Sequence, residues 1–260
     1  MKSLPQPFLL LLLILAGTMS LKAQDSPKLI HVFVALCDNL NQGIVPVPAA
    51  IGNGQKPSTN LYWGAGYGVK TYFHRKTSDW VYQGTLPSGH PDILERIWFK
   101  HRDQDVWMVA DAYDGAAIQT CITDFLLAAN GQDSMAFDDG NLESVCGKLP
   151  DLVAYVGHDG LMEFSVDPTY QKPDGPKPES IMFACFSQSF FKPEIELTGS
   201  QPLVWTTNLM APEAYILHAA IGAWLRGEPA DAVVEATAQA YHKYQKCGIR
   251  GARNLFVSGW

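Results

Sequence analysis

Asp151-Leu-Val-Ala-Tyr-Val-Gly157 and Ser180-Ile-Met-Phe-Ala-Cys185-Phe186 are the two stretches whose reading decides the fold. Each is a short, nearly continuous apolar run, and the first is rich in β-branched and aromatic residues. Neither alternates with polar residues. A strand with one wet face alternates, whereas a strand buried on both faces does not, and such strands belong to parallel sheets covered by helices on both sides. The first run stops at His158-Asp159-Gly160 and the second at Cys185. In open α/β sheets, ligands bind beyond the carboxyl ends of the strands. If the two strands are neighbours, an imidazole and a thiol emerge together at that edge. A thiol beside an imidazolium ionises readily, which is the basis of cysteine nucleophilic catalysis.

The remaining runs extend the same pattern in both directions. Lys28 to Leu36 reads as a buried strand ending in the turn Cys37-Asp38-Asn39, and Val106 to Tyr113 as another, ending at Asp114-Gly115. Trp80 to Leu86 reads as a strand and Ile93 to Phe99 as a short amphipathic segment. Ile118, Cys121, Ile122, Phe125 and Leu126 recur on one face of a helix over 116–129, closed by Asn130-Gly131. Asn60 to Phe73 carries apolar residues near helical spacing and reads as a helix, despite Gly64, Gly66 and Gly68. Pro202 to Thr206 reads as a further strand, followed by helices from Pro212 to Arg226 and from Ala230 to Lys246, with an edge strand over 254–258. Strands alternating with helical patterns specify a largely parallel α/β sheet with helices on both faces.

Val156-Gly157-His158-Asp159-Gly160 and Met182-Phe183-Ala184-Cys185 resemble the paired motifs of the clan CD cysteine peptidases, the caspase, legumain and gingipain group. There the catalytic His closes one hydrophobic strand in a His-Gly pair, and the catalytic Cys closes the next in an Ala-Cys pair. The order of elements from Lys28 to Trp260 is similar to that fold, so the resemblance covers most of the chain. It implies a caspase-like three-layer sandwich with His158 and Cys185 as a catalytic dyad. It further implies an oxyanion hole from the amides of Gly160 and Cys185, and a peptide or protein substrate. Asp38 and Asn39 in the first turn, with Thr206, Thr207 and Asn208 after the third strand, become substrate-contact candidates by the same resemblance. The chain departs from the family at Asp159, which separates His158 from Gly160. The four prolines Pro168, Pro173, Pro176 and Pro178 leave little room for a connecting helix before Cys185.

Residues 1–23 combine a basic start, the apolar run Phe8 to Ala16 and the small Ala23, the pattern of a secretory signal peptide. The apolar run is too short to span a bilayer, so the expectation is a single domain over 24–260, secreted or periplasmic, with no stable membrane insertion after cleavage. The formal charge is −7, or −9 once Lys2 and Lys22 are removed with the leader, and no basic patch interrupts it. That argues against nucleic acid as a partner. Five cysteines, at 37, 121, 146, 185 and 247, leave at least one thiol unpaired. No cofactor and no resident metal are expected, since no tight ligand motif such as His-Glu-x-x-His is present.

Two other functional classes fit parts of the pattern. Asp38, Asp111, Asp114, His158 and Asp159 all fall near strand ends, and a metal-dependent hydrolase would gather such oxygen and nitrogen donors around an ion. A catalytically inactive relative of the same fold would keep the cleft as a binding or interaction site.

Overall fold

The computed structural model describes residues 26–132, 147–171 and 175–260. The leader over 1–23, Cys146 and most of the acidic stretch 132–150 therefore lie outside the described residues.

The strands are β1 (Lys28–Ala35), β2 (Trp80–Leu86), β3 (Ile93–His101), β4 (Val106–Tyr113), β5 (Leu152–Val156), β6 (Glu179–Phe183), β7 (Gln201–Thr206) and β8 (Phe256–Val257). They form one sheet in the order β2-β3-β4-β1-β5-β6-β7-β8. The central run from β4 through β1, β5 and β6 to β7 is parallel, while β2 and β3 at one edge and β8 at the other run antiparallel. The four strands without alternation in the sequence, β1, β4, β5 and β6, are parallel and interior, as double burial requires.

Among the described residues, six α-helices cover the sheet: α1 (Val69–Arg75), α2 (Ile118–Ala129), α3 (Ser187–Thr198), α4 (Ala214–Leu225), α5 (Ala230–Gln245) and α6 (Ile249–Leu255). Side chains alternate across a strand, so β1 sends Phe33 and Ala35 one way and Ile30, Val32 and Val34 the other. The first set packs with Val153, Tyr155 and Met182 beneath α2 and α3, through Ile122, Phe125, Phe191 and Ile195. The second set packs with Ala154, Ile181 and Val204 against α1, α4 and α5, through Phe73, Ile216, Leu217, Ala220 and Tyr241. Phe125 is fully buried, and truncating such a ring removes about 3 to 5 kcal/mol. The protein is thus α/β, with a mostly parallel mixed sheet between two helical layers.

Three expectations change. Residues 60–68 form turns rather than the start of a helix, and α1 begins only at Val69. A Cβ at Gly64 or Gly68 would sit within 2.5 Å of neighbouring backbone, so these glycines serve close chain approach rather than helical packing. The Ile93 segment is a full strand, β3, whose charged residues are held by distant partners. Glu95 accepts from the Trp63 indole at 2.6 Å and pairs with Lys70, while Arg96 pairs with Asp111. Finally, a sixth helix, α6, occupies most of the C-terminal stretch and shortens the edge strand to two residues.

Among the described residues, no helix is long and apolar enough to cross a membrane.

Candidate functional site

The ladder between β5 and β6 pairs Val156 with Phe183. His158 and Cys185 each lie two residues beyond that pair, so the register alone sets them level at the carboxyl edge. The Gly157 amide donates to the Phe183 carbonyl at 3.2 Å and carries the pairing one step further. Both residues line one cleft of about 530 Å³, bounded by the loop after β1, the turn after β5 and the segment 209–213 after β7. Its walls are mainly aliphatic, from Ile44, Val47, Ile51 and Leu61 among others. Three large apolar side chains at its mouth stay open to solvent: Val45 at 87%, Leu209 at 67% and Met162 at 41% exposure. A cavity of this size, apolar with a few convergent polar groups, is the usual form of a small-ligand site.

Cys185 stands at a sharp strand-to-helix turn. The next residue, Phe186, is left-handed at φ 52° and caps α3 from outside. A bulky residue in that region is strained by about 1 to 2 kcal/mol, so its surroundings must hold it. Phe186 N–H donates to the Asn208 carbonyl at 3.1 Å, and Ser187 N–H to Thr206 Oγ1 at 3.2 Å. Strain of this kind clusters at functional sites. The turn leaves Cys185 partly exposed, with its sulfur in contact with the Met210 backbone, whose N–H lies at 3.4 Å and whose carbonyl lies at 3.6 Å.

His158 is held from several sides. Its carbonyl accepts from the buried Tyr155 hydroxyl at 2.6 Å and from the Gly160 amide at 3.1 Å. Its ring Nε2 lies 2.7 Å from Glu163 Oε1. That contact fixes the ring orientation, and with the proton on Nε2 it leaves Nδ1 as the basic nitrogen. The sulfur of Cys185 and the ring of His158 share no hydrogen bond in this resting arrangement. Burial, followed by the nearby Asp159, pushes the Cys185 thiol up, while the Met210 contact acts in the opposite direction.

The other candidate residues mostly serve the turns and loops around the cleft. Asp159 does not hold His158. Its Oδ1 accepts from Leu161 N–H at 3.1 Å, closing a short turn over Gly160–Met162, and its Oδ2 is buried without a partner. Burial raises this carboxyl to about 7. Gly160 spends its amide on the His158 carbonyl. The amide of Cys185, by contrast, meets no acceptor among the described residues, and Cys185 lines the cleft. Asp38 is buried, and its carboxylate is filled by Leu40 N–H, Asn41 and Gln55 at 2.8 to 2.9 Å. Burial alone would raise it, but these donors together hold it below the usual range. Asn39 pins the same loop through both its amide atoms, to Val47. Thr206 is buried between the strand ends, donating to the Ala184 carbonyl. Thr207 donates to Asn254 at 2.8 Å, and Asn208 holds the Phe186 amide. None of these five lines the cleft; they shape the loops that do.

Two residues of the site escaped sequence reading. Glu163 follows His158 by five positions, a spacing with no helical or strand meaning, and sits on an irregular turn. Glu213 was legible only as the opening of α4, yet it lines the cleft. The proposed oxygen and nitrogen donors for a metal are engaged by protein partners: Asp111 by Arg96 and His31, Asp114 by Ala116 N–H and Gln55, and Asp38 by the same Gln55. Among the described residues, no three His, Cys, Asp or Glu side chains are grouped as metal ligands. Cys37, Cys121, Cys185 and Cys247 are free thiols. No protein-family model, curated protein or solved structure matches this chain.

Proposed function

We propose that the chain is a secreted or periplasmic cysteine hydrolase of caspase-like fold that acts on amide bonds, most naturally those of peptides. The observation that carries this reading is the convergence of Cys185 and His158, from adjacent parallel strands at matching register, on one apolar cleft. Support comes from the strained turn at Phe186 and from the Glu163 carboxylate behind the imidazole, the third group that orients a base.

Burial pushes the Cys185 thiol up, so deprotonation accompanies attack. His158 Nδ1 takes the thiol proton as Sγ bonds to the carbonyl carbon, and the developing oxyanion is met by the amide of Cys185. The C–N bond then breaks, His158 returns the proton to the leaving amine, and a thioester remains. Water attacks the thioester with His158 again as base, the C–S bond breaks, and the thiol and a carboxylic acid are released. This chemistry requires ring and sulfur to come within hydrogen-bond reach when substrate binds; such contacts are often long without substrate.

A second reading has its own support. A partly buried thiol that burial pushes up, with no hydrogen bond to an imidazole, also suits a binding cleft that performs no chemistry. Purified full-length chain incubated with a panel of fluorogenic peptide amides and esters separates the two. Hydrolysis that survives chelator, is stopped by iodoacetamide and is absent from Cys185→Ala and His158→Ala supports the hydrolase. No turnover of any member, with the circular dichroism of a folded protein, leaves the binding module.

A further inference from the structure

Among the described residues, Glu213 is the only carboxylate lining the cleft, and no lysine or arginine lines it. The side chain is half-buried and fixed in orientation. Its Oε2 accepts from the Tyr215 hydroxyl and from Gln245 Nε2, both at 3.0 Å, and Gln245 Nε2 also meets the Tyr215 oxygen at 2.7 Å. Two donors occupy the two lone pairs of Oε2. Among the described residues, Oε1 receives no hydrogen bond and Glu213 forms no ion pair. Burial pushes this carboxyl above its ordinary range, with the Tyr215 and Gln245 contacts opposing. A carboxylate set in apolar walls without a counter-ion is stabilised by an arriving cation, and the surrounding groups already hold it in position.

We propose that the cleft binds a primary ammonium group carried on an aliphatic stem, with Glu213 as its counter-ion, which in a peptide substrate is a lysine side chain. The stem lies along Ile44, Ile51 and Leu61, as the methylenes of a lysine lie along any apolar surface. The geometry selects ammonium over guanidinium. A guanidinium engages a carboxylate best through both oxygens in parallel, and here Oε2 is already filled. The ammonium is a point donor satisfied by Oε1 alone. Glu213 is also correctly placed along the chain for such a role. It lies three residues beyond Met210, whose backbone touches Cys185 Sγ, so its Cα is within about 11 Å of that contact. The peptide part of this inference rests on the hydrolase reading; the ammonium site does not.

The test uses full-length Cys185→Ala protein, so that binding is read without turnover. Calorimetric titration compares hexylammonium, hexylguanidinium and hexanol, then a short acetylated peptide containing lysine and its norleucine counterpart. Hexylammonium is expected to bind about 10- to 100-fold more tightly than hexanol, the range for hydrogen bonds to charged groups, and more tightly than hexylguanidinium. Glu213→Gln should erase the advantage over hexanol while leaving hexanol itself unchanged. If that variant does not fold, Glu213→Asp, which withdraws the carboxylate by one methylene, should weaken hexylammonium selectively. Equal binding of hexanol, preference for the guanidinium, or indifference to Glu213 overturns the ammonium site. Discrimination of lysine from norleucine supports the substrate side chain, and binding of the free amine without it overturns that part. Amine binding by a wild-type chain that hydrolyses nothing would sink the hydrolase reading and leave the ammonium site standing.

Discussion

Two polar networks on this sheet behave in opposite ways. In the first, Asp111 on β4 receives Arg96 from β3 through a bidentate pair, Nε and Nη2 each at 2.6 Å, and His31 from β1 at 2.9 Å. All three are buried. Burial alone would raise the Asp111 carboxyl, yet Arg96 and His31 together hold it below the usual range. In the second, at the carboxyl edge, groups of similar chemistry are left with open valences: the Cys185 amide, the Glu213 Oε1 and the Asp159 Oδ2. A closed network fixes structure, because every buried charge has its partner. An open one costs stability and is retained for what it can bind or do.

The sharpest way to break the comparison is a pair of variants with crossed effects. Cys185→Ala should remove at least about a thousand-fold of any hydrolytic rate, while shifting the urea midpoint little. Asp111→Asn should do the reverse, leaving the Arg96 charge buried beside a neutral partner at a cost of about 3 to 5 kcal/mol. Chemical denaturation of both proteins checks this, and an Asp111 variant as stable as wild type would dissolve the distinction.

Asp159 offers a test by pH. Its folded-state value of about 7 lies above the ordinary 3.8, so between those values the folded chain keeps a proton that the unfolded chain has released. Stability should therefore fall as pH rises from about 4 to about 7, then level off, at roughly 1.4 kcal/mol per unit at most. Asp159→Asn keeps the bond to Leu161 and removes the charge. Its stability advantage over wild type should be near zero at pH 4 and about 2 to 4 kcal/mol at pH 8. A pH-independent difference would show that the carboxyl is not strained.

Gly43 gives the smallest effect. A Cβ there would fall 1.9 Å from Glu163 Oε1, so Gly43→Ala should push that carboxylate off the His158 ring. The outcome expected is a 10- to 100-fold loss in kcat, about that of losing an orienting partner, with little change in thermal midpoint. Unchanged kcat would remove Glu163 from the site.

The strands at the centre of the sheet were legible because burial on both faces leaves a plain signature, an apolar run bounded by turn residues. The strand β3 was not, since Glu95 and Arg96 are tolerable there only through Lys70, Trp63 and Asp111, which lie 15 to 32 positions away. Glycines over 60–68 carried a helical spacing of apolar residues, but their need for close backbone approach cannot be read from spacing. At the site, His158 and Cys185 were visible as the ends of strands. Glu163 and Glu213 were invisible, because irregular segments bring them in and no periodicity governs such segments. Asp38, Asn39 and Thr206 drew notice by lying where ligands bind in this class of sheet. Their hydrogen bonds show that a polar residue at a strand end can serve the loop as readily as the ligand.

The tether from Gln245 to Glu213 has a consequence for the birth of the molecule. A chain emerging from the ribosome folds from its amino end as synthesis proceeds, and the strands bearing His158 and Cys185 come out well before α5. Until that helix is made and docked, Glu213 has neither Gln245 nor a settled wall beside it. A partly synthesised chain can thus display a thiol and an imidazole without a finished cleft around them. The cleft is complete only once α5 is made and docked, within the last 31 residues of the chain.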